Sequence, residues 1–209
     1  MVGKRLERLS DVLRGVKILV CAVERGDEVC IPDGSFELRA NDKITVTAPR
    51  SELVKMLKAL KISNQKIRDV LIIGGSKIAV YLAEELIKSG VNVKIIEQKL
   101  EKCRALSERL PSAVIINGDG TLQDLLSSEG IEETDAVISL TNIDEENLVI
   151  SMYADSCGVP KSITKINRTE YLRLFKDRDI GSVICPKMLA SYEIIRYVRA
   201  MDNTTGGSV

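Results

Sequence analysis

The 209-residue sequence has room for one large domain or two small ones, each with a real hydrophobic core. Lys plus Arg number 30, as do Asp plus Glu, so no general excess of positive charge is available to hold a nucleic-acid backbone or an anionic membrane. Histidine is absent, which removes the commonest general acid–base and the commonest metal ligand, and aromatics at 3% leave the core to aliphatic side chains.

The N-terminus, Met1 to Leu13, is charged and amphipathic, unlike the apolar h-region of a signal peptide. No apolar run approaches the roughly 18 residues that span a bilayer. Five cysteines, at 21, 30, 103, 157 and 185, form no C-x-x-C pair, so a metal site is not expected. Buried free thiols in a reducing, cytoplasmic compartment are the plain reading.

Val16 to Val46 reads as short strands punctuated by turns. Val16–Val23, Glu28–Ile31, Ser35–Arg39 and Lys43–Thr47 are separated by clusters of Gly, Asp, Pro and Asn, which predicts a small antiparallel sheet. Helical spacing of Leu53, Met56, Leu57 and Leu60 predicts a helix over Glu52–Leu60. The polar stretch Ile62–Lys66 reads as a linker, which divides the chain into a small α+β domain, 1–63, and a second domain, 64–209.

Beyond the linker the rhythm changes to alternating strand and helix. Strands are predicted at Asp69–Ile73, Val91–Ile96, Ala113–Ile116, Ala136–Leu140, Ser162–Ile166 and Ser182–Ile184. Between them fall helices at Ile78–Lys88, Leu100–Leu110, Thr121–Glu129, Glu145–Cys157 and Thr169–Lys176, with a last long helix at Lys187–Met201. Alternation of this kind with right-handed crossovers predicts a Rossmann-like doubly wound parallel sheet, α/β, in the order 3-2-1-4-5-6.

The sharpest local signal is Val70-Leu71-Ile72-Ile73-Gly74-Gly75-Ser76-Lys77-Ile78-Ala79. The dinucleotide pattern G-x-G-x-x-G/A falls on Gly74, Ser76 and Ala79. Gly74 permits the tight turn and Ala79 allows close helix–sheet packing. Ser76 stands where a glycine normally lets pyrophosphate approach; its Cβ narrows the cleft, while its hydroxyl and the adjacent N–H groups can still bind a phosphate. Lys77 is either a point charge for a terminal phosphate or an exposed helix lysine. Glu97 ends the second strand, where an acidic residue bonds ribose hydroxyls; the alternative is a solvated strand end. Gly118-Asp119-Gly120 follows the third strand and suits a polar contact to an adenine edge. Thr141 and Asn142 follow the fourth, and Asn142 to Glu145 reads as a capping box.

These residues together bring a family into view. Val70 to Pro186 resembles the N-lobe of RCK (KTN) domains, specifically the TrkA-type regulators of bacterial potassium uptake. The stretches that carry the likeness are Ile72-Ile73-Gly74-Gly75, Ile95-Ile96-Glu97, Gly118-Asp119-Gly120-Thr121 and, above all, Ser139-Leu140-Thr141-Asn142-Ile143-Asp144-Glu145-Glu146-Asn147. Lys165–Tyr171 and Tyr197–Met201 also match, and residues 13–60 look like the family's small C-lobe.

The resemblance implies a nucleotide-sensing regulatory subunit that binds NAD(H) or an adenine nucleotide (ATP, ADP or AMP) and gates a membrane potassium channel or transporter subunit (TrkH-like). It places Gly74, Gly75, Ser76, Lys77 and Ile78 around the phosphates, Glu97 on the ribose, Asp119 and Gly120 near the base, and Thr141 and Asn142 beside the second half of the ligand. It further implies homo-oligomers formed through N-lobe pairing on the final helix, using Met188, Leu189, Ile194, Ile195 and Val198; ordinary covering of the sheet suits those residues equally. Family chains carry N-lobe and C-lobe pairs in tandem, so a C-lobe preceding an N-lobe looks like the middle of a longer protein.

Two other functions fit parts of this pattern. An NAD-dependent oxidoreductase needs a substrate domain, for which only a small sheet of about 65 residues is at hand, and an acid–base group, which in the absence of histidine falls to Lys, Tyr or Asp. A structural oligomerisation module with a silent site needs only the packing. Ser76 bears on both, because it narrows the place where a dinucleotide would lie.

Overall fold

The computed structural model describes residues 2–13, 15–26, 28–60, 66–174 and 181–205. The chain forms two compact units, Met1–Lys66 and Ile67–Val209. Most of the expected linker, 62–65, lies outside the described residues, as do 175 and 176 at the end of the helix expected over Thr169–Lys176.

In the first unit a 3-10 turn, Leu6–Arg8, runs into α1, Leu9–Val12. Strands β1 (Leu19–Arg25), β2 (Glu28–Cys30) and β3 (Lys43–Thr47) form an antiparallel sheet in the order β2-β1-β3. Helix α2 (Arg50–Ala59) follows, and Leu9, Leu13, Val16, Val23, Leu38 and Met56 are the buried core.

Three expectations need correction here. The first strand starts at Leu19, not Val16, because the preceding backbone bonds elsewhere. Val16 N–H donates to Leu13 C=O at 3.3 Å, and Lys17 N–H donates to the Glu52 carboxylate on α2 at 2.9 Å. Ser35–Arg39 is not a sheet strand. Its partner is the N-terminal segment, through one bridge between Arg5 and Glu37, with Leu6 N–H on Phe36 C=O and Leu38 N–H on Lys4 C=O. The thiols are not uniformly buried: Cys103 and Cys185 are, Cys21 and Cys157 are half-buried, and Cys30 is exposed on edge strand β2.

Arg25 anchors the loop that leads to β3. Its Nε and Nη2 donate to the two Asp42 carboxylate oxygens at 2.8 Å each, and Nη2 also donates to Glu37 C=O at 3.0 Å. The guanidinium lies 4.9 Å from the Phe36 ring centroid. Arg25, with help from the Arg39 N–H, holds the Asp42 carboxyl down at a pKa of about 2.

The second unit alternates as expected: β4 (Asp69–Ile73), α3 (Lys77–Lys88), β5 (Asn92–Glu97), α4 (Leu100–Arg109), β6 (Val114–Asn117), α5 (Gln123–Ser128), β7 (Ala136–Ser139), α6 (Asp144–Ser156), β8 (Ser162–Lys165), α7 (Thr169–Leu174), β9 (Ser182–Ile184) and α8 (Pro186–Thr205). All neighbouring strands pair in parallel in the order β6-β5-β4-β7-β8-β9, which is the expected 3-2-1-4-5-6. Period-2 alternation sorts the central strands between two cores. Val70, Ile72, Val93, Ile95 and Ile138 pack with Ala79, Ala83 and Leu106 of α3 and α4. Leu71, Ile73, Ile96 and Val137 pack with Leu126 of α5 and Ile150 of α6. Each such aliphatic side chain contributes about 1.5–3 kcal/mol on burial. Both faces are covered, which is why these strands read as unbroken apolar runs.

From Ser191 to Ala200 every residue of α8 is exposed, so sheet-covering does not account for its apolar side chains over that length. Ile194, Ile195 and Val198 are among them, while Met188 near the start of the helix is half-buried. Among the described residues no helix is long and apolar enough to cross a membrane.

Candidate nucleotide-binding cleft

The sheet order reverses between β4 and β7, and the loops leaving their carboxyl ends diverge there to open a crevice. A cleft of about 260 Å³ lies at this point. Of the residues singled out from the sequence, it brings together Gly74, Gly75 and Ser76 after β4, Glu97 at the end of β5, Asp119 and Gly120 after β6, and Thr141 and Asn142 after β7. Lys77 and Ile78, both exposed in the first turn of α3, do not line it.

The glycines answer first to packing within the protein. Gly74 has φ +98°, and a Cβ there would lie 2.9 Å from Thr141 N and 3.0 Å from Leu140 C. This is backbone against backbone, so nothing can move aside cheaply. A Cβ on Gly75 would meet Leu106 Cδ1 at 2.5 Å, and one on Gly120 would meet Ile73 Cγ2 at 2.3 Å. Backbone packing is therefore enough to require Gly74, and the branched Ile73 side chain crowds Gly120, whereas at Gly75 the obstacle is the movable tip of a leucine on α4.

The ligand-facing features are polar. Ser76 is the N-cap of α3, and its Oγ accepts the Ala79 N–H at 3.3 Å. The serine hydroxyl thus turns onto its own helix. That cap takes the Ala79 N–H; the N–H groups of Lys77 and Ile78 lie outside the i→i−4 ladder, and the first turn carries no acidic residue. This is an N-terminus suited to an anion.

Glu97 faces that helix start. It is 7% exposed, which overturns the reading of a solvated strand end. Its Oε2 accepts Gly75 N–H and its Oε1 accepts Lys99 N–H, both at 2.9 Å, with Lys102 Nζ 3.8 Å away. Each carboxylate oxygen keeps a lone pair for another donor. Asp119 Oδ1 accepts the Thr121 hydroxyl at 2.7 Å and its N–H at 2.9 Å, and these bonds lower the Asp119 pKa. Its Oδ2 accepts Gln98 Nε2 at 3.2 Å.

The capping box expected at Asn142 to Glu145 is not formed. The N-cap of α6 is Ile143, without a side-chain cap. Asp144 instead accepts the backbone N–H groups of Asn167 and Arg168 at 2.9 Å, and Glu145 accepts the Tyr171 hydroxyl at 2.7 Å. Long-range loop contacts outcompete the local cap.

Gln98, Lys99, Lys102, Ile143 and Glu146 also line the cleft and escaped the sequence reading. For Lys99 and Lys102 a signal existed. They lie two and five residues past Glu97, at the N-cap and in the first turn of α4, where a helix start must face the strand end it follows.

The TrkA-N domain model matches residues 70–186 and the TrkA-C domain model matches residues 1–61. The chain is 35% identical over 202 residues to the Trk system potassium uptake protein TrkA of Halomonas elongata, covering 97% of this chain and 44% of that one. It is 32% identical over 193 residues to the TrkA homolog of Archaeoglobus fulgidus, covering 92% of this chain and 44% of the relative. The chain thus spans a little under half the length of these relatives. Among solved structures, the GsuK RCK domain superposes with a TM-score of 0.65 at 15% identity, over 97% of this chain and 43% of that chain. The GsuK channel bound to NAD gives 0.64 at 16% identity, over 96% and 35%. The Kef C-terminal domain of Shewanella denitrificans, in its AMP-bound form, gives 0.51 at 14% identity, over 63% and 80%. At these identities the structures attest the fold. With both domain models matched and relatives this similar along almost the whole chain, the protein belongs to the TrkA family.

Proposed function

We propose that this chain is a nucleotide-sensing part of a cytoplasmic regulatory subunit of a potassium uptake system. It binds NAD(H) or an adenine nucleotide in the cleft and passes the state of that site to a membrane potassium channel or transporter subunit. The observation that carries this reading is the open N-terminus of α3, free of acidic residues in its first turn, facing the buried acceptor Glu97 across one cleft. An adenosine phosphate presents the matching pair, an anion and vicinal ribose hydroxyls. The NAD-bound GsuK channel and the AMP-bound Kef domain, both of the same fold, add support.

In this reading the diphosphate sits beside Gly75 at the start of α3, by the backbone N–H groups of Ser76, Lys77 and Ile78, while the Gly75 N–H stays on Glu97. The ribose hydroxyls donate to Glu97, the base lies by Asp119 and Gly120, and Thr141 and Asn142 flank the second half of a dinucleotide. The diphosphate then passes the Ser76 Cβ, while the Ser76 hydroxyl stays bonded to α3. Binding without turnover suits the cleft's chemistry. Two of its three carboxylates, Glu97 and Asp119, are committed to backbone N–H groups, and the sequence holds no histidine. The exposed apolar side chains of α8 suit pairing with a second copy of this lobe.

Thermal melting with NAD+, NADH, ATP, ADP and AMP tests the proposal. At least one nucleotide at millimolar concentration raises Tm, because a ligand held only by the folded state stabilises it. No shift with any of the five contradicts the sensor and favours a silent scaffold.

A further inference from the structure

The second half of the cleft is walled by the loop Thr141–Ile143, which belongs to no helix or strand. Its backbone is nevertheless fixed, by a side chain that does not line the cleft. Asn147 sits on α6, wholly buried. Its Oδ1 accepts Thr141 N–H at 2.8 Å, while its Nδ2 donates to Thr141 C=O at 3.1 Å and to Lys165 C=O, at the end of β8, at 3.0 Å. The amide thus takes both backbone groups of Thr141, as a neighbouring strand would, and pins them to β8. Only a group with an acceptor and two donors in one plane can do this. The loop it holds is the one against which Gly74 packs, with room for no side chain between them.

We propose that Asn147 is the positioning residue of the nucleotide cleft: it sets Thr141 and Asn142 at the distance from the Gly74 turn that admits the second half of a dinucleotide. This rests on the nucleotide reading above and deepens it. A mononucleotide needs only the α3 N-terminus, Glu97 and the Asp119 loop. A dinucleotide needs the Thr141 loop as well, and so depends on Asn147.

Buried polarity on α6 supplies its own control. Ser151, equally buried and not lining the cleft, bonds Ser139 Oγ at 3.2 Å and Thr164 Oγ1 at 2.5 Å. Ser139 Oγ also donates to the Asn147 backbone C=O at 3.0 Å, so Ser151→Ala disturbs the same part of α6 without removing any bond of the Asn147 side chain. Isothermal titration of the full chain with NAD+ and with AMP then separates positioning from general stability. In Asn147→Asp the donor that faced the Thr141 and Lys165 carbonyls is replaced by an oxygen, and the NAD+/AMP affinity ratio falls by about tenfold. In Ser151→Ala the melting temperature drops and that ratio stays as in the wild type. If Asn147→Asp does not fold, Asn147→Ser, which keeps one small polar group, carries the same expectation. An unchanged ratio in the Asn147 variant, or an equal fall in Ser151→Ala, overturns the proposal while leaving nucleotide binding intact. Failure of the wild type to bind either ligand overturns the nucleotide reading itself, and this proposal with it.

Discussion

The cleft leaves Gly74 little freedom. Gly74 and Gly90 both adopt positive φ, at +98° and +77°, yet only Gly74 has backbone within contact of a would-be Cβ. Left-handed strain alone costs an alanine about 1–2 kcal/mol. Gly74→Ala adds a clash with Thr141 N and Leu140 C, so its total is about 3 kcal/mol or more. Urea denaturation of the two alanine variants measures the difference; equal midpoints would show that the Gly74 turn can relax. Glu97 carries a different lesson. Its place at a strand end was legible, but its burial and its bond to Gly75 were not, because they depend on how closely the end of β5 meets the turn after β4, which strand order alone does not give.

Asp42 belongs at this scale too. Its folded pKa of about 2 lies below the ordinary carboxylate value near 3.9, first because Arg25 bonds it. A depressed carboxylate contributes stability that is fully present above its unfolded pKa and is lost as pH falls through the folded one. The first unit therefore loses this contribution between about pH 4 and pH 2. Asp42→Asn removes that part of the acid dependence, read by urea midpoints at pH 6 and pH 3. A variant whose acid dependence matches the wild type would show that the Arg25 pair contributes nothing in solution.

At the scale of elements, the strands and helices of the second unit were legible almost to the residue. Aliphatic runs such as Leu71-Ile72-Ile73 and Val137-Ile138, each closed by a turn or polar residue, leave few alternatives for a doubly covered sheet. The first unit was harder. Ser35–Arg39 has the right residues for a strand, but its partner lies some 30 residues earlier, and no local pattern reveals a single bridge to Arg5. The start of α6 failed for a related reason. Asn142-Ile143-Asp144-Glu145 has the spacing of a capping box, yet Asp144 and Glu145 serve a loop more than 20 residues downstream. Asp144→Ala frees the N–H groups of Asn167 and Arg168, so hydrogen exchange at those two amides accelerates while amides in the middle of α6 keep their protection. Acceleration spread along the whole helix would instead mean that Asp144 holds α6 itself.

For the whole molecule, neutral net charge and absent histidine acquire meaning from the cleft. The docking proposed above would have to use local surfaces of this chain, since its own net charge is zero. The loop cluster at the carboxyl ends of the strands gathers side chains from four separate segments, which only the 3-2-1-4-5-6 order could bring together. The strand order could be read from the alternation and the handedness rule. Which polar groups in that cluster remain open to a ligand could not, because each depends on partners distant in sequence.

The cleft after β4 and β7 is the proposed nucleotide site. Two-dimensional amide NMR of the protein titrated with NAD+ and with AMP tests it most directly. The account predicts saturable shifts at Gly75, Ser76 and Lys77, at Lys99, and at Asp119 and Gly120, with Thr141 and Asn142 responding to NAD+ more than to AMP. In Glu97→Ala the same titration saturates only at about tenfold higher ligand, the worth of a lost charged hydrogen bond. Shifts confined to the first unit, or none at millimolar ligand, would contradict it.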